Sequence, residues 1–127
     1  MDSTDLKART KRFAVSVVQL TDVLPDTIKG RVICKQLVRC GTSVASNYRA
    51  VCRARSRKEF ISKLGTVIEE ADESAFWLEL IVECRLAKCE LAKPVLDEAN
   101  QIVAIMTKSR MTAESGKNRQ SKIGNLQ

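Results

Sequence analysis

The chain has no histidine. That removes the imidazole base of a Ser-His-Asp triad or a Cys-His pair, and with it the usual zinc sets. The di-iron sites of helical bundles also require Glu-x-x-His on two helices, so the many carboxylates here do not read as a metal site. Aromatic residues make up only 4% of the sequence, with one Trp, one Tyr and three Phe, and there are five Gly and two Pro. So few turn formers, beside many Ala, Leu, Val, Glu, Lys and Arg, favour helix over sheet. No apolar run approaches the ~20 residues that a membrane span needs. No Gly-rich phosphate loop or dinucleotide turn is found. The expectation is a non-enzymatic protein without cofactor, metal or membrane span.

Five cysteines are present, Cys34, Cys40, Cys52, Cys84 and Cys89. Their number is odd, none are spaced C-x-x-C, and Met1 to Arg12 is polar rather than a secretory leader. They read as reduced, half-buried thiols of a cytoplasmic protein. Cys52 lies between Arg49 and Arg53, which would lower its pKa and favour the thiolate. It is the candidate for a thiol-based redox or small-molecule role, and packing is the simpler role for all five.

What the chain does have is positive charge and helical periodicity. At 127 residues it is one domain, with a formal net charge of +7. Apolar positions at Leu6, Phe13, Val17, Leu20 and Leu24 mark a first helix that Pro25 ends. Asp26 or Thr27 caps a second, with a stripe through Ile28, Val32, Ile33, Gln36, Leu37, Cys40, Val44, Asn47, Tyr48 and Val51. Ser56 and Glu59 form a capping box for a third, with a stripe through Phe60, Leu64, Val67, Ala71, Ala75, Leu78 and Val82. Pro94 suits the first turn of a fourth, with Val95, Ala99, Ile102 and Met106 inward. Periodicity stops after Met111. The spacing thus predicts an all-α, up-down-up-down antiparallel four-helix bundle over 1–111 and a mobile basic tail over 112–127. Second apolar rows on the first and fourth helices leave room for a subunit interface.

Charge is unevenly divided. From Leu24 to Arg55 there are seven cations and only Asp26, whereas Glu69, Glu70, Asp72, Glu73, Glu79 and Glu83 crowd the third helix. The two helices are expected to pair their charges across a shared face, with Glu69/Glu73 and Glu79/Glu83 as ion partners of the second helix. Small residues Gly41, Ser43, Ala45 and Ser46 predict close packing of the second helix on the third. Ser43 and Asn47 are expected to hydrogen-bond there to Glu70 and Glu73. Phosphate binding wants several cations beside backbone N–H groups at a helix start. Arg49, Arg53, Arg55, Arg57 and Lys58, around Ser56, are the candidate nucleic-acid-binding set, with Lys117, Arg119 and Lys122 of the tail as helpers. The competing reading is a solvated face that supports only solubility.

Three segments carry a resemblance: QLVRCGTSVASNYRA from Gln36, SRKEFISKL from Ser56, and EADESAFWLEL from Glu70. With Ser43-x-x-x-Asn47 and Glu73-x-x-x-Trp77-Leu78-Glu79, they resemble the four-helix bundle family named for proteins encoded in intervening sequences of 23S ribosomal RNA genes. The match runs from about Phe13 to Met111. The resemblance implies a homopentameric ring of four-helix subunits and kinship with the accessory variability protein of diversity-generating retroelements. That relative is a basic pentamer that partners a reverse transcriptase and nucleic acid. No catalytic motif comes with the family. The expected function is therefore a bacterial homo-oligomer that binds RNA, DNA or a nucleoprotein partner, possible reverse transcriptase included. The alternatives are an interaction scaffold with no nucleic-acid role and the thiol protein built on Cys52.

Overall fold

Three of the four helices begin where a side chain satisfies the first free backbone N–H groups. The structure, a computed structural model, describes the backbone of residues 1–126 and the side chains of residues 1–116. It contains helices α1 (Ser3–Thr21), α2 (Ile28–Cys52), α3 (Arg57–Glu83) and α4 (Cys89–Leu126). Asp2 and Asp5 cap α1 reciprocally, the Asp5 N–H donating to Asp2 Oδ1 at 2.9 Å and the Asp2 N–H to Asp5 Oδ2 at 3.3 Å. Thr27 caps α2 by accepting from the Gly30 N–H at 3.2 Å, and Ser56 caps α3 by accepting from the Glu59 N–H at 3.1 Å.

The ends differ from the sequence reading in instructive ways. Helix α1 starts three residues before Leu6 because Asp2 and Asp5 cap it, and it closes at Thr21 in tighter turns that carry the chain to Leu24. Helix α4 starts at Cys89, so Pro94 sits in its second turn rather than its first. The helix also runs past Met111 to Leu126. Apolar periodicity reports burial, and no residue from 111 to 116 is fully buried; an established helix still propagates through Thr112, Ala113 and Glu114 without a new nucleus. Arg110 and Glu114 add an i,i+4 ion pair at 3.8 Å. The side chains of Lys117, Arg119 and Lys122 lie outside the described residues.

Helix α3 ends in a Schellman turn. The Leu86 N–H donates to the Ile81 carbonyl at 2.9 Å and the Arg85 N–H to the Val82 carbonyl at 3.2 Å. Leu86 and Ile81 are both buried beneath it. The left-handed position is held by Arg85, with φ of 56°, where glycine would sit without strain.

Helices α1 and α3 each pack on α2 and α4, and among the described residues the two diagonal pairs do not pack. Neighbouring helices run antiparallel. Along α2 and α3, Arg39 meets Glu70 and Glu73, while Ala50 and Arg53 face Glu59 and Lys63. Along α1 and α4, Arg9 meets Glu98, while Leu20 and Val23 face Leu91 and Val95. The core holds Phe13 and Val17 of α1, Leu37 and Val44 of α2, Leu64, Val67 and Leu78 of α3, and Ile102 and Met106 of α4. Among the described residues no buried side-chain polar atom lacks a partner. No helix there is long and apolar enough to cross a membrane.

Two glycines set the α1–α2 contact. A Cβ on Gly41 would lie 2.8 and 2.9 Å from the two Val17 methyls, so the small-residue approach is to α1, not to α3 as the sequence suggested. A Cβ on Gly30 would lie 2.0 Å from the Pro25 carbonyl oxygen. That rotation brings Gly30, Ile33, Leu37, Cys40, Gly41 and Val44 inward and turns Ile28 and Val32 out, 77% and 52% exposed. Both had been assigned to the inner stripe.

Gly30→Ala is expected to lose about 3 kcal/mol or more, because a backbone oxygen cannot rotate away. Gly41→Ala should lose less, since Val17 can shift by a few tenths of an ångström and alanine regains about 1 kcal/mol of helix propensity. Chemical denaturation of the two variants checks the order. Arg85→Gly should raise stability by about 1 kcal/mol through relief of the left-handed residue, read as a higher melting temperature.

Candidate nucleic-acid interface

The corner between α2 and α3 is built by two helix ends that meet in a short connection. Arg49 occupies the last turn of α2, where a cation complements the helix dipole. Arg53 is the C-terminal cap, and the Arg53 and Ala54 N–H groups donate to the Ala50 and Val51 carbonyls at 3.1 Å each. Arg55 lies in the connection, and Lys58 in the first turn of α3. Arg49, Arg53, Arg55 and Lys58 are all exposed.

Arg53 and Arg55 share an open cleft of about 280 Å³ with Ala50, Glu59 and Lys63. Lys63 was missed from sequence, although it lies one turn beyond Glu59 on the same face. The Glu59 carboxylate accepts from the Arg55 N–H at 3.4 Å, one residue further back than the Ser56 N–H expected from the capping pattern. It fixes the connection and places one negative group among the cations.

Arg57 is set apart from the others. It is half-buried against α4, its guanidinium 3.7 Å from where a Cβ on Gly116 would be. Four of the five candidate cations are thus presented outward, and the fifth is turned to the α3–α4 seam.

The polar residues expected to tie α2 to α3 divide into two groups that do not meet. Asn47 Nδ2 donates to the Ser43 carbonyl at 2.9 Å and to Ser43 Oγ at 2.7 Å, so both partners lie within α2. An i,i+4 side chain reaches its own helix more readily than the next one. Glu70 and Glu73 instead receive Arg39, with Glu70 at 3.4 Å and Glu73 in close contact. Trp77 Nε1 donates to Glu73 Oε2 at 3.1 Å. This bond, then Arg39, holds the Glu73 carboxyl below its ordinary range. The buried α2–α3 polar contact is elsewhere: Ser74 Oγ lies 3.2 Å from Cys40 Sγ and donates to the Glu70 carbonyl at 2.8 Å.

Among the described residues, Arg39 makes the only ion pairs between α2 and α3. Glu69, Glu79 and Glu83 are exposed and do not pair with α2, contrary to the sequence expectation.

All five cysteines are free thiols. Burial pushes the Cys40 thiol up, which makes it a packing group. Cys52 is exposed beside the buried Tyr48. No group of three or more His, Cys, Asp or Glu side chains among the described residues can hold a metal ion.

Comparison with known proteins bears on the whole bundle. The model of the family described as 23S rRNA-intervening sequence protein matches residues 3–108. A crystal structure from Bacteroides thetaiotaomicron, described as a protein with unknown function from the S23 ribosomal protein family, is similar with a TM-score of 0.79 and 31% identity. The likeness covers 87% of this chain and 99% of that one. No curated protein matches the chain.

Tyr48 reports on the corner directly, because it is the single tyrosine. Burial, and then the neighbouring Cys52, pushes its phenol up from 10.0 to about 12. The neutral phenol is favoured in the fold, so its contribution to stability is complete below pH 10.0 and is lost as pH rises through about 12. Phenolate absorbance should therefore have its midpoint near 12 in the folded protein and near 10.0 in denaturant. Cys52→Ser should lower the folded midpoint.

Proposed function

The chain belongs to the 23S rRNA-intervening sequence protein family, and on that premise we propose that it is a non-enzymatic homo-oligomer that binds the phosphate backbone of RNA or DNA. The observation that carries the reading is the set of exposed cations Arg49, Arg53, Arg55 and Lys58 around the start of α3, with Lys63 in the same cleft. Their guanidinium and ammonium groups suit phosphate oxygens, and the net charge of +7 favours encounter with a polyanion.

The chemistry is that of backbone contact. Each phosphate neutralised releases condensed counterions, so affinity falls steeply with salt. Base readout needs groups that reach base edges or stack on them. Tyr48 is buried and Trp77 is tied to Glu73, so neither is offered for stacking at this corner. Binding is therefore indifferent to sequence. Repetition of the corner around an oligomer multiplies weak contacts into avidity when one strand spans several subunits. A reverse transcriptase, as the nucleoprotein partner of the retroelement resemblance, would meet the same surface through its bound nucleic acid.

The test replaces Arg49, Arg53 and Arg55 by Gln together, with oligomer mass and melting temperature as controls. Binding of RNA and DNA is measured by electrophoretic shift over a salt series. The variant should bind more weakly and show a slope of log K against log salt shallower by about 2–3, one phosphate per lost cation. Affinity and slope equal to the parent's would leave the corner a solvated face and favour the scaffold reading.

A further inference from the structure

The outer faces of α2 and α3 are unlike each other in charge and alike in carrying unburied apolar residues. Helix α2 has Lys29, Arg31, Lys35, Arg39 and Arg49 and no carboxylate. Helix α3 from Leu64 to Glu83 has Glu69, Glu70, Asp72, Glu73, Glu79 and Glu83 and no cation. Within the chain the two sets meet only through Arg39 among the described residues. Lys29 and Lys35 of α2, and Glu69, Asp72, Glu79 and Glu83 of α3, are exposed, and no ion pair joins them among the described residues.

Each charged face surrounds apolar surface. Ile28 and Val32 lie one turn apart on α2, beside Lys29, Arg31 and Lys35. Phe76 is 51% exposed on α3, with Asp72, Glu79 and Glu83 around it. Its ring lies edge-on to Trp77, with centroids 5.1 Å apart at 71°. An apolar centre with a charged rim is the composition of a protein docking surface.

We propose that these two faces are halves of one interface: Phe76 and the acidic face of α3 in one copy dock on Ile28, Val32 and the basic face of α2 in a second copy. The inference rests on the homo-oligomer reading above and names the surfaces that form it. Within one bundle only Arg39 links the two charge sets among the described residues, which leaves the other charges for a second copy. The contact is heterologous, each copy offering one face and accepting the other, and such a contact closes into a ring when the rotation between copies permits. Charge complementarity selects the partner face and rejects like against like.

The experiment uses the full chain and reads mass by light scattering, with circular dichroism to confirm the helices. One variant reverses the acidic face, Glu79→Lys with Glu83→Lys. A second reverses the basic face, Lys29→Glu with Lys35→Glu. A third carries all four changes. The first two should fall to the one-chain mass of 14.1 kDa. The third, and an equimolar mixture of the first two, should regain assembly, because opposite faces meet again. Phe76→Ala keeps the charges and should raise the concentration for half-dissociation about tenfold or more.

A parent protein of one-chain mass would overturn both this inference and the oligomer reading. An oligomeric parent whose face variants keep its mass would overturn this inference alone. A basic-face variant that keeps its mass but loses RNA affinity would assign that face to nucleic acid and also overturn it. Failure of the four-fold variant to reassemble would overturn the pairing of the two faces.

Discussion

The Pro25 carbonyl oxygen stands where a side chain at position 30 would be, and much of the molecule follows from that contact. It fixes the entry of α2 against the end of α1. With α2 seated there, Gly41 comes against Val17, and one face of α2 becomes the core face along its length. The opposite face then carries Ile28, Val32, Lys35 and Arg39 outward. The same rotation sets where Arg49 and Arg53 emerge at the far end. A backbone contact at the first turn of α2 therefore decides the orientation of every cation on that helix.

The starts of α2 and α3 and most of the core stripes were legible because they depend on local chemistry. Thr27 and Ser56 have hydroxyls that accept from backbone three residues on, and the stripe of α4 from Val95 to Met106 keeps one period throughout. What depends on the relative rotation of helices was less legible. Ile28 and Val32 fit a helical stripe as well as Ile33 and Leu37 do; only the approach at Gly30 decides which row is inside. Ser43 and Asn47 looked like interhelical polar groups because they are small and lie beside the stripe. Their spacing also lets them satisfy each other, and that local solution is the one formed. The cation cluster of the corner was visible as a run of residues, but its split was not. Arg57 turns to α4 and Lys63 joins the cleft because of where each falls around α3.

The separation of charge between α2 and α3 has a physical consequence beyond pairing. Exposed ion pairs contribute about 0–1 kcal/mol each, so pairing within the chain would add little. Five cations without an acid on α2, and six acids without a cation on the Leu64–Glu83 part of α3, instead create two extended fields of opposite sign on outer faces. Such fields act on orientation and encounter more than on the stability of one bundle. The buried contacts that hold α2 to α3, including Cys40 against Ser74, are nearly independent of them. The bundle can therefore keep its fold while its surface charge is altered.

The proposed docking and the proposed phosphate contact use opposite ends of α2. Ile28 and Arg53 are separated by 25 residues, or about 37 Å of helix. A neighbour seated at the Ile28 end leaves the Arg49–Lys58 corner open, so the two partners need not compete. In the proposed ring, the acids of α3 and the cations at the start of α2 are neutralised against the adjacent copy. The corner cations have no counterpart in that contact and become the concentrated residual charge. Their mutual repulsion opposes closure, and a polyanion that neutralises them relieves it. Binding and assembly are then linked: whatever favours one must favour the other by the same free energy. An assembly of this kind senses nucleic acid through its own cohesion.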